Sequence, residues 1–149
     1  MAISNGINPT LDSINLTGTG TGYSALRIAR AIYSFTTDAG AVSTITPVGT
    51  VSLPDNAVIV AGTVNSTTAC TSGGAATIAV GTSAGSSATA ILAATAVASF
   101  SLDARINAVP VFATPVKMTA AGNITLTIAT AALTAGVIEV TVMYYVANN

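Results

Sequence analysis

Apolar and polar positions alternate at period two through much of this chain, most clearly near its C-terminus. Ile124, Leu126 and Ile128 alternate with Thr125 and Thr127. After Thr134-Ala135-Gly136, one face carries Ile138, Val140, Val142, Tyr144 and Val146, and the other carries Glu139, Thr141, Met143 and Tyr145. Successive side chains of a strand point to opposite sides, so the pattern predicts half-buried strands. Together with Thr114 to Thr119, these segments predict an antiparallel meander. Upstream, Leu26, Ile28 and Ile32 alternate along a first strand with Tyr33 and Phe35 near its end, and Asp38-Ala39-Gly40 turns the chain into Val42 to Thr46. Pro47, Gly49 and Leu53-Pro54-Asp55-Asn56 punctuate the next stretch. Ala57 to Val64 is a strand with Val58, Val60 and Val64 on one face, and Ser72-Gly73-Gly74 leads into Ala75 to Val80.

Between Gly81 and Ser87 the residues are small and suit a loop. Ala88 to Ala96 is Ala-rich with Ile91 and Leu92 as its larger residues, and is the one segment that predicts a helix. Pro110 and Pro115 bracket Val111 and Phe112, which fits an edge or a connection better than a central strand. About eight short strands at roughly regular spacing predict an all-β, antiparallel β-sandwich or barrel. The longer loops favour Greek-key crossings, so a jelly-roll-like sandwich leads and an immunoglobulin-like one follows. No internal repeat points to a solenoid or propeller.

Residues 1–24 break the pattern. Asn15 to Ser24 alternates Gly with Thr over Thr17 to Gly22, where nothing is large enough to anchor a strand. The segment reads as an extended N-terminal arm ahead of a sandwich domain spanning 25–149. Ile3, Ile7, Leu11, Ile14 and Leu16 are candidate docking residues along it. Fully extended, an arm of this length reaches roughly 80 Å, enough to touch a neighbouring subunit.

Composition sharpens the β reading. Of 149 residues only 6% are charged while 51% are hydrophobic, much of that Ala and Val. A typical soluble domain carries about 25% charged residues. Disordered chains combine low hydrophobicity with high charge, so disorder is disfavoured. A surface with so little charge to guard its sheet edges is expected to be covered by further copies of the chain or by a partner. The net charge is −1 and no basic cluster exists, which argues against nucleic acid as a partner. The stretch Ala88 to Phe100 is too short and too interrupted to span a bilayer, and Met1 to Thr10 shows no secretory pattern, so no membrane partner or export route is expected. Cys70 has no second cysteine to pair with and reads as a small buried residue near a strand end, consistent with synthesis in a reducing compartment.

Candidate chemistry is sparse. The chain has no His, one Cys and five carboxylates, which leaves out the commonest general base and the commonest metal ligand. Asp38 and Asp55 read as turn residues, Asp12 as part of the arm, and Glu139 as the polar face of a strand. Gly18 to Gly22 superficially resembles a phosphate-binding loop but lacks a preceding strand, a following helix and any Lys. No cofactor, no metal and no enzymatic activity are expected. Arg27 and Arg30 on the first strand are candidate contact residues, with Asp12, Asp103 or an acidic partner surface as possible counter-charges, and each alone also suits a solvated position.

The order YSFTTDAGAVSTIT, then LPDNAVIVAGTVNSTTACTSGGAATIAVGTSAGSSATAILAAT, then GNITLTIATAALTAGVIEVTVMYYVAN resembles the decoration, or cement, proteins of tailed-bacteriophage capsids. The resemblance implies a jelly-roll-like domain, assembled as a homotrimer, that sits on the capsid exterior and stabilises contacts between copies of the major capsid protein. It implies synthesis in the host cytoplasm followed by assembly into the virion. A head-fibre base, a tail or shell protein, and a non-viral surface or carbohydrate-binding module are the competing readings. The last of these has little aromatic surface to offer, since the chain holds no Trp and four Tyr.

Overall fold

The computed structural model describes residues 25–84 and 87–147. The expected arm, residues 1–24, lies outside them. Nine strands follow in order: β1 (Arg27–Ser34), β2 (Ser43–Ile45), β3 (Ala57–Ser72), β4 (Thr77–Thr82), β5 (Leu92–Ala96), β6 (Arg105–Asn107), β7 (Val116–Lys117), β8 (Ile124–Ala129) and β9 (Leu133–Val146). One sheet has the order β1-β9-β3-β6, with β7 also paired to β3; the other has the order β2-β8-β4-β5. All pairings are antiparallel. The chain crosses from sheet to sheet at every link except β4–β5 and β6–β7. The all-β sandwich expected from the sequence is therefore the observed architecture.

Its core is the space between the two inner faces. Ala29, Ala31 and Tyr33 of β1, Ile138, Val140 and Val142 of β9, and Ile59 and Val64 of β3 face Ile78 and Val80 of β4, Leu92 of β5 and Ile124, Leu126 and Ile128 of β8. Full burial of each larger aliphatic residue contributes about 1.5–3 kcal/mol before chain-ordering costs.

Several local expectations give way to the tertiary structure. The expected helix at Ala88 to Ala96 is a turn followed by β5, whose Leu92, Thr95 and Ala96 pair with β4. The helix preference of Ala is less than about 1 kcal/mol per residue, and nine residues are too few to hold a helix without packing. Burying Ile91 and Leu92 at the edge of an existing sheet outweighs it. Helical structure occurs instead as a single turn, α1 (Phe35–Asp38), and as a 3-10 turn at Val97–Ser99.

The expected C-terminal meander is also corrected. β8 and β9 lie in opposite sheets, and Thr134-Ala135-Gly136 is within β9 rather than in a turn. The chain reverses at Thr130, which has a positive φ of 72°. Two strands facing each other across a core show the same alternation as two strands paired in a hairpin, so periodicity cannot tell them apart. On β3 the register shifts between Ile59 and Ala61, and the extra residue moves Ile59 rather than Val58 into the core beside Val64. On β1 the inward residues are Ala29, Ala31 and Tyr33, which leaves Leu26 and Ile28 exposed.

Tyr33 anchors one end of the core. Its ring is buried and its hydroxyl donates to the Ala39 carbonyl at 2.7 Å. Asp38 closes the adjoining turn by accepting from the backbone N–H groups of Ser34 and Val48, each at 2.9 Å. Burial, with smaller contributions from Cys70 and Asp38, pushes the Tyr33 phenol up to about 12. Burial likewise pushes the Cys70 thiol up, opposed by a hydrogen bond from Ser66. Cys70 fills the space opposite Gly136, where φ is +135° and an added Cβ would meet the Cys70 Sγ and approach its Cα to 2.9 Å.

Two predictions follow from this packing. Gly136→Ala is expected to lose about 3 kcal/mol or more of unfolding free energy, from backbone strain plus overpacking against Cys70. Gly73→Ala, where an added Cβ meets nothing within 4 Å, is expected to be neutral or to gain up to about 1 kcal/mol. Urea denaturation of the two variants checks both. A further prediction concerns alkali. Because folding raises the Tyr33 value from 10.0 to about 12, its contribution to stability is fully present below pH 10 and is lost as pH rises through about 12. Denaturation midpoints should fall across that window, and Tyr33→Phe should remove the Tyr33 share of the fall. A near-ultraviolet absorbance titration should show a late ionisation that Tyr33→Phe removes.

Candidate interaction surface

The contact residues expected from the sequence divide into two groups. Ile3, Ile7, Leu11, Ile14 and Leu16 lie outside the described residues. Arg27 and Arg30 both lie on β1, but three positions apart on a strand puts them on opposite faces. Arg27 has the parity of Ala29 and is exposed because it stands at the end of the sheet. Arg30 points outward, and its guanidinium donates to Glu139 Oε2 at 2.5 Å across the β1–β9 pair. The pair is partly exposed, so it contributes at most about 1 kcal/mol. Glu139 thus takes the part the sequence reading gave to Asp12 or Asp103. Asp103 stands just before β6, at the far edge of the sheet from β1, and cannot reach either arginine.

The remaining described carboxylates hold turns. Asp55 accepts from the Asn56 backbone at 2.8 Å, and Asp38 accepts its two N–H groups as above. Among the described residues, no three of His, Cys, Asp and Glu gather where they could hold a metal.

An exposed apolar feature lies elsewhere. β6 and β7 pair with the same edge of β3, at Thr63–Asn65 and Val58–Ile59 respectively. They are two pieces of one edge strand, interrupted by an excursion of residues 108–115. The excursion is tied down at each step. Ala108 N–H donates to Gly62 O at 3.0 Å, Val109 N–H to Ile91 O at 2.7 Å, and Met118 N–H, just past β7, to Ala57 O at 2.7 Å. At its tip Thr114 N–H donates to Val111 O at 2.9 Å, closing a tight turn whose central residues are Phe112 and Ala113. Phe112 is 74% exposed, and it is the one large exposed aromatic side chain among the described residues. Val109 and Val111 beside it are also exposed, while Ala108, Pro110 and Met118 are buried beneath.

A second exposed apolar group borders β1. Ile28 is 67% exposed, and Val48 and Val51 belong to a segment that follows the free edge of β1 through Val51 N–H to Arg30 O and Ile32 N–H to Gly49 O. Sequence reasoning placed Val111 and Phe112 at an edge or connection but did not single out Phe112 as a contact residue. The available signal was an aromatic residue between two prolines, in a chain with three Phe, at a site unable to join a central strand.

No protein-family model matches the chain, and no curated protein matches it. Three solved structures share its fold. A chain of the cyanophage Pam1 capsid asymmetric unit aligns with a TM-score of 0.60 at 23% identity, over 87% of this chain and 91% of that one. A chain of the acid-stable capsid of the Helicobacter pylori bacteriophage KHP30 aligns at 0.59 with 14% identity, over 84% and 90%. A chain of the Ralstonia phage GP4 capsid aligns at 0.57 with 17% identity, over 88% and 90%. At these identities the likeness establishes a shared sandwich fold, and it spans nearly the full length of both partners in each comparison.

Proposed function

We propose that this chain is a structural protein of a bacteriophage virion, specifically a jelly-roll decoration protein that binds the outside of the head and stabilises contacts between copies of the major capsid protein. The observation that carries this reading is the likeness, over 84–88% of this chain, to three chains of phage capsid structures. The strand order supports the jelly-roll description, since β1-β9-β3-β6 faces β2-β8-β4-β5 with nearly every link crossing between sheets. The scarcity of charge supports life in an assembly, because contact with neighbours replaces the solvation that charged residues would supply.

In this reading the protein is a homotrimer made of sandwich domains spanning 25–149, each preceded by the arm 1–24. The arm's Ile3, Ile7, Leu11, Ile14 and Leu16 bury against the shell or a neighbouring copy, each contributing roughly 1–3 kcal/mol before ordering costs. A subunit of the shell itself is the second reading, supported by the same three neighbours, which are chains of capsid structures.

Co-sedimentation with particles assembled without this protein tests the proposal. Full-length protein is expected to bind the particles and, in sedimentation equilibrium, to run at three chain masses. Deleting residues 1–20 is expected to leave the circular dichroism spectrum of a β-sandwich and to weaken attachment. Absence of full-length protein from the particle fraction would overturn the decoration reading, and a monomer at micromolar concentration would overturn the trimer. Equal binding by both forms would move the attachment from the arm to the sandwich. Cryo-electron microscopy separates the two readings by the position of the sandwich, on the outer surface for a decoration protein and within the shell layer for a shell subunit.

A further inference from the structure

Where β1 begins, one corner of the sandwich presents apolar side chains that no described residue covers. Leu26 and Ile28 are 47% and 67% exposed, and Ile28 pairs with Met143 of β9, which shares its outward face and is half-buried. Val51 joins them from the segment beside β1. The bonds from Val51 N–H to Arg30 O and from Ile32 N–H to Gly49 O set Thr50 opposite Ala31 in an antiparallel pairing. Thr50 therefore takes the inward side, with its hydroxyl oxygen buried, and Val51, 52% exposed, takes the side of Ile28.

The backbone is open at the same place. Arg30 and Ile32 turn these bonding groups toward the free edge, and Ile28 has their parity, so its N–H and C=O face that edge too. The flanking segment bonds Arg30 and Ile32 and leaves Ile28 without a backbone partner on that side among the described residues. Arg27 beside it has no ion-pair partner among them either. Glu139 is taken by Arg30, Asp38 and Asp55 by backbone groups of their turns, and Asp103 stands at the far edge of the sheet.

The nearest candidate to cover this corner is the beginning of the same chain. Residues 1–24 join β1 through Ala25 and Leu26, and their one charged side chain, Asp12, is close in sequence to Leu11, Ile14 and Leu16. Ile14 and Leu16 are two residues apart, the spacing of Leu26 and Ile28, and so match them along an extended backbone. The eight residues from Thr17 to Ser24 span up to about 27 Å when extended. Returning to Ile28 needs only about 10 Å of that reach. A tether this short holds its segment at an effective concentration on the order of millimolar, which favours it over a separate molecule at micromolar concentration.

We propose that in the free protein the segment from Leu11 to Leu16 folds back over this corner of its own sandwich, setting Ile14 and Leu16 on Leu26, Ile28 and Val51 and bringing Asp12 within reach of Arg27. The proposal rests on the reading of residues 1–24 as an arm. It makes the corner the place those apolar residues leave when they bury against the shell or a neighbouring copy.

Disulfide trapping in free full-length protein tests it, with Cys70 replaced by Ala and circular dichroism to check that each variant folds. Asn15→Cys is combined either with Ser52→Cys, next to Val51, or with Ser101→Cys, exposed ahead of β6 at the far edge, so that no proposed contact residue is altered. The first pair is expected to close within one chain about tenfold or more faster than the second. Adding Ile28→Ser should remove most of that advantage. Equal rates for the two pairs, or an Ile28→Ser variant that closes as fast, would overturn the proposal. A link joining two chains would make the occupant the arm of a second copy and would also overturn it. Hydrogen exchange reads the same contact without cysteines: the Ile28 amide should exchange several-fold more slowly in full-length protein than after deletion of residues 1–20, and equal exchange would count against the fold-back. None of these measurements involves particles, so a negative result leaves the decoration reading to be decided by co-sedimentation.

Discussion

The pairing of β3 with β9 is the interaction on which the rest of the molecule depends. These are the two longest strands, of 16 and 14 residues, and every other strand of their sheet attaches to one or the other: β1 to β9, and β6 and β7 to β3. The inner face of this ribbon supplies Ile59, Val64, Ile138, Val140 and Val142 to the core. The partners lie far apart in sequence, so the loop-closure entropy must be met before the ladder stabilises anything. The ladder is also irregular, with register shifts between Ile59 and Ala61 and at several points from Ser66 to Ser72. Irregularities of this kind bend and twist a strand, which suits a long ribbon wrapping a core. Gly136 is set by the same constraint, since only a residue without Cβ fits beside Cys70 at that crossing.

Low charge creates a second problem, the protection of sheet edges, and the fold meets it mainly through backbone. The free edge of β1 is covered by the segment through Gly49 and Val51. β2 is three residues long, and β5 pairs through a register shift. The outer edge of β3 is occupied by β6 and β7, which are too short to template another strand. Charge is used unevenly. All four cations lie on strands of the β1-β9-β3-β6 sheet, whereas the strands of the other sheet carry no charged residue. The second sheet presents Ser, Thr and Ala to its outer side, with Thr44 and Thr127 bonded through their hydroxyls at 2.9 Å.

How much of this was legible in the sequence depends on which interaction decided each feature. β8 and the apolar stripe of β9 could be read directly, because alternation of Ile, Leu and Val with Thr records which face meets the core. Partner choice could not be read, because Ile128 and Ile138 look the same whether their strands pair or face each other. The β1 parity was obscured by Ala29 and Ala31, whose small side chains hide an inward face behind the larger and exposed Leu26 and Ile28. At Ala93, Ala94 and Ala96 composition pointed to helix, while the neighbouring β4 edge made a strand. The scarcity of catalytic residue types was plain, and so was the turn role of Asp38 and Asp55. The exposure of Phe112 was not, since it follows from an excursion whose length is set by contacts to Gly62, Ile91 and Ala57.

That excursion shows how this fold separates what holds a loop from what the loop displays. Interrupting an edge strand rather than a central one leaves the β3–β9 ladder intact, since β6 and β7 together still occupy the outer edge of β3. Ala108, Pro110 and Met118 bind the loop to the core, so its backbone is held by groups that face inward. Val109, Val111 and Phe112 make no comparable contribution to the interior and are replaceable without opening a cavity. Residues that hold the loop are therefore expected to be constrained by packing, and residues that project from it only by what they meet. A sandwich built this way can change a few side chains at one edge while its two sheets keep the same core.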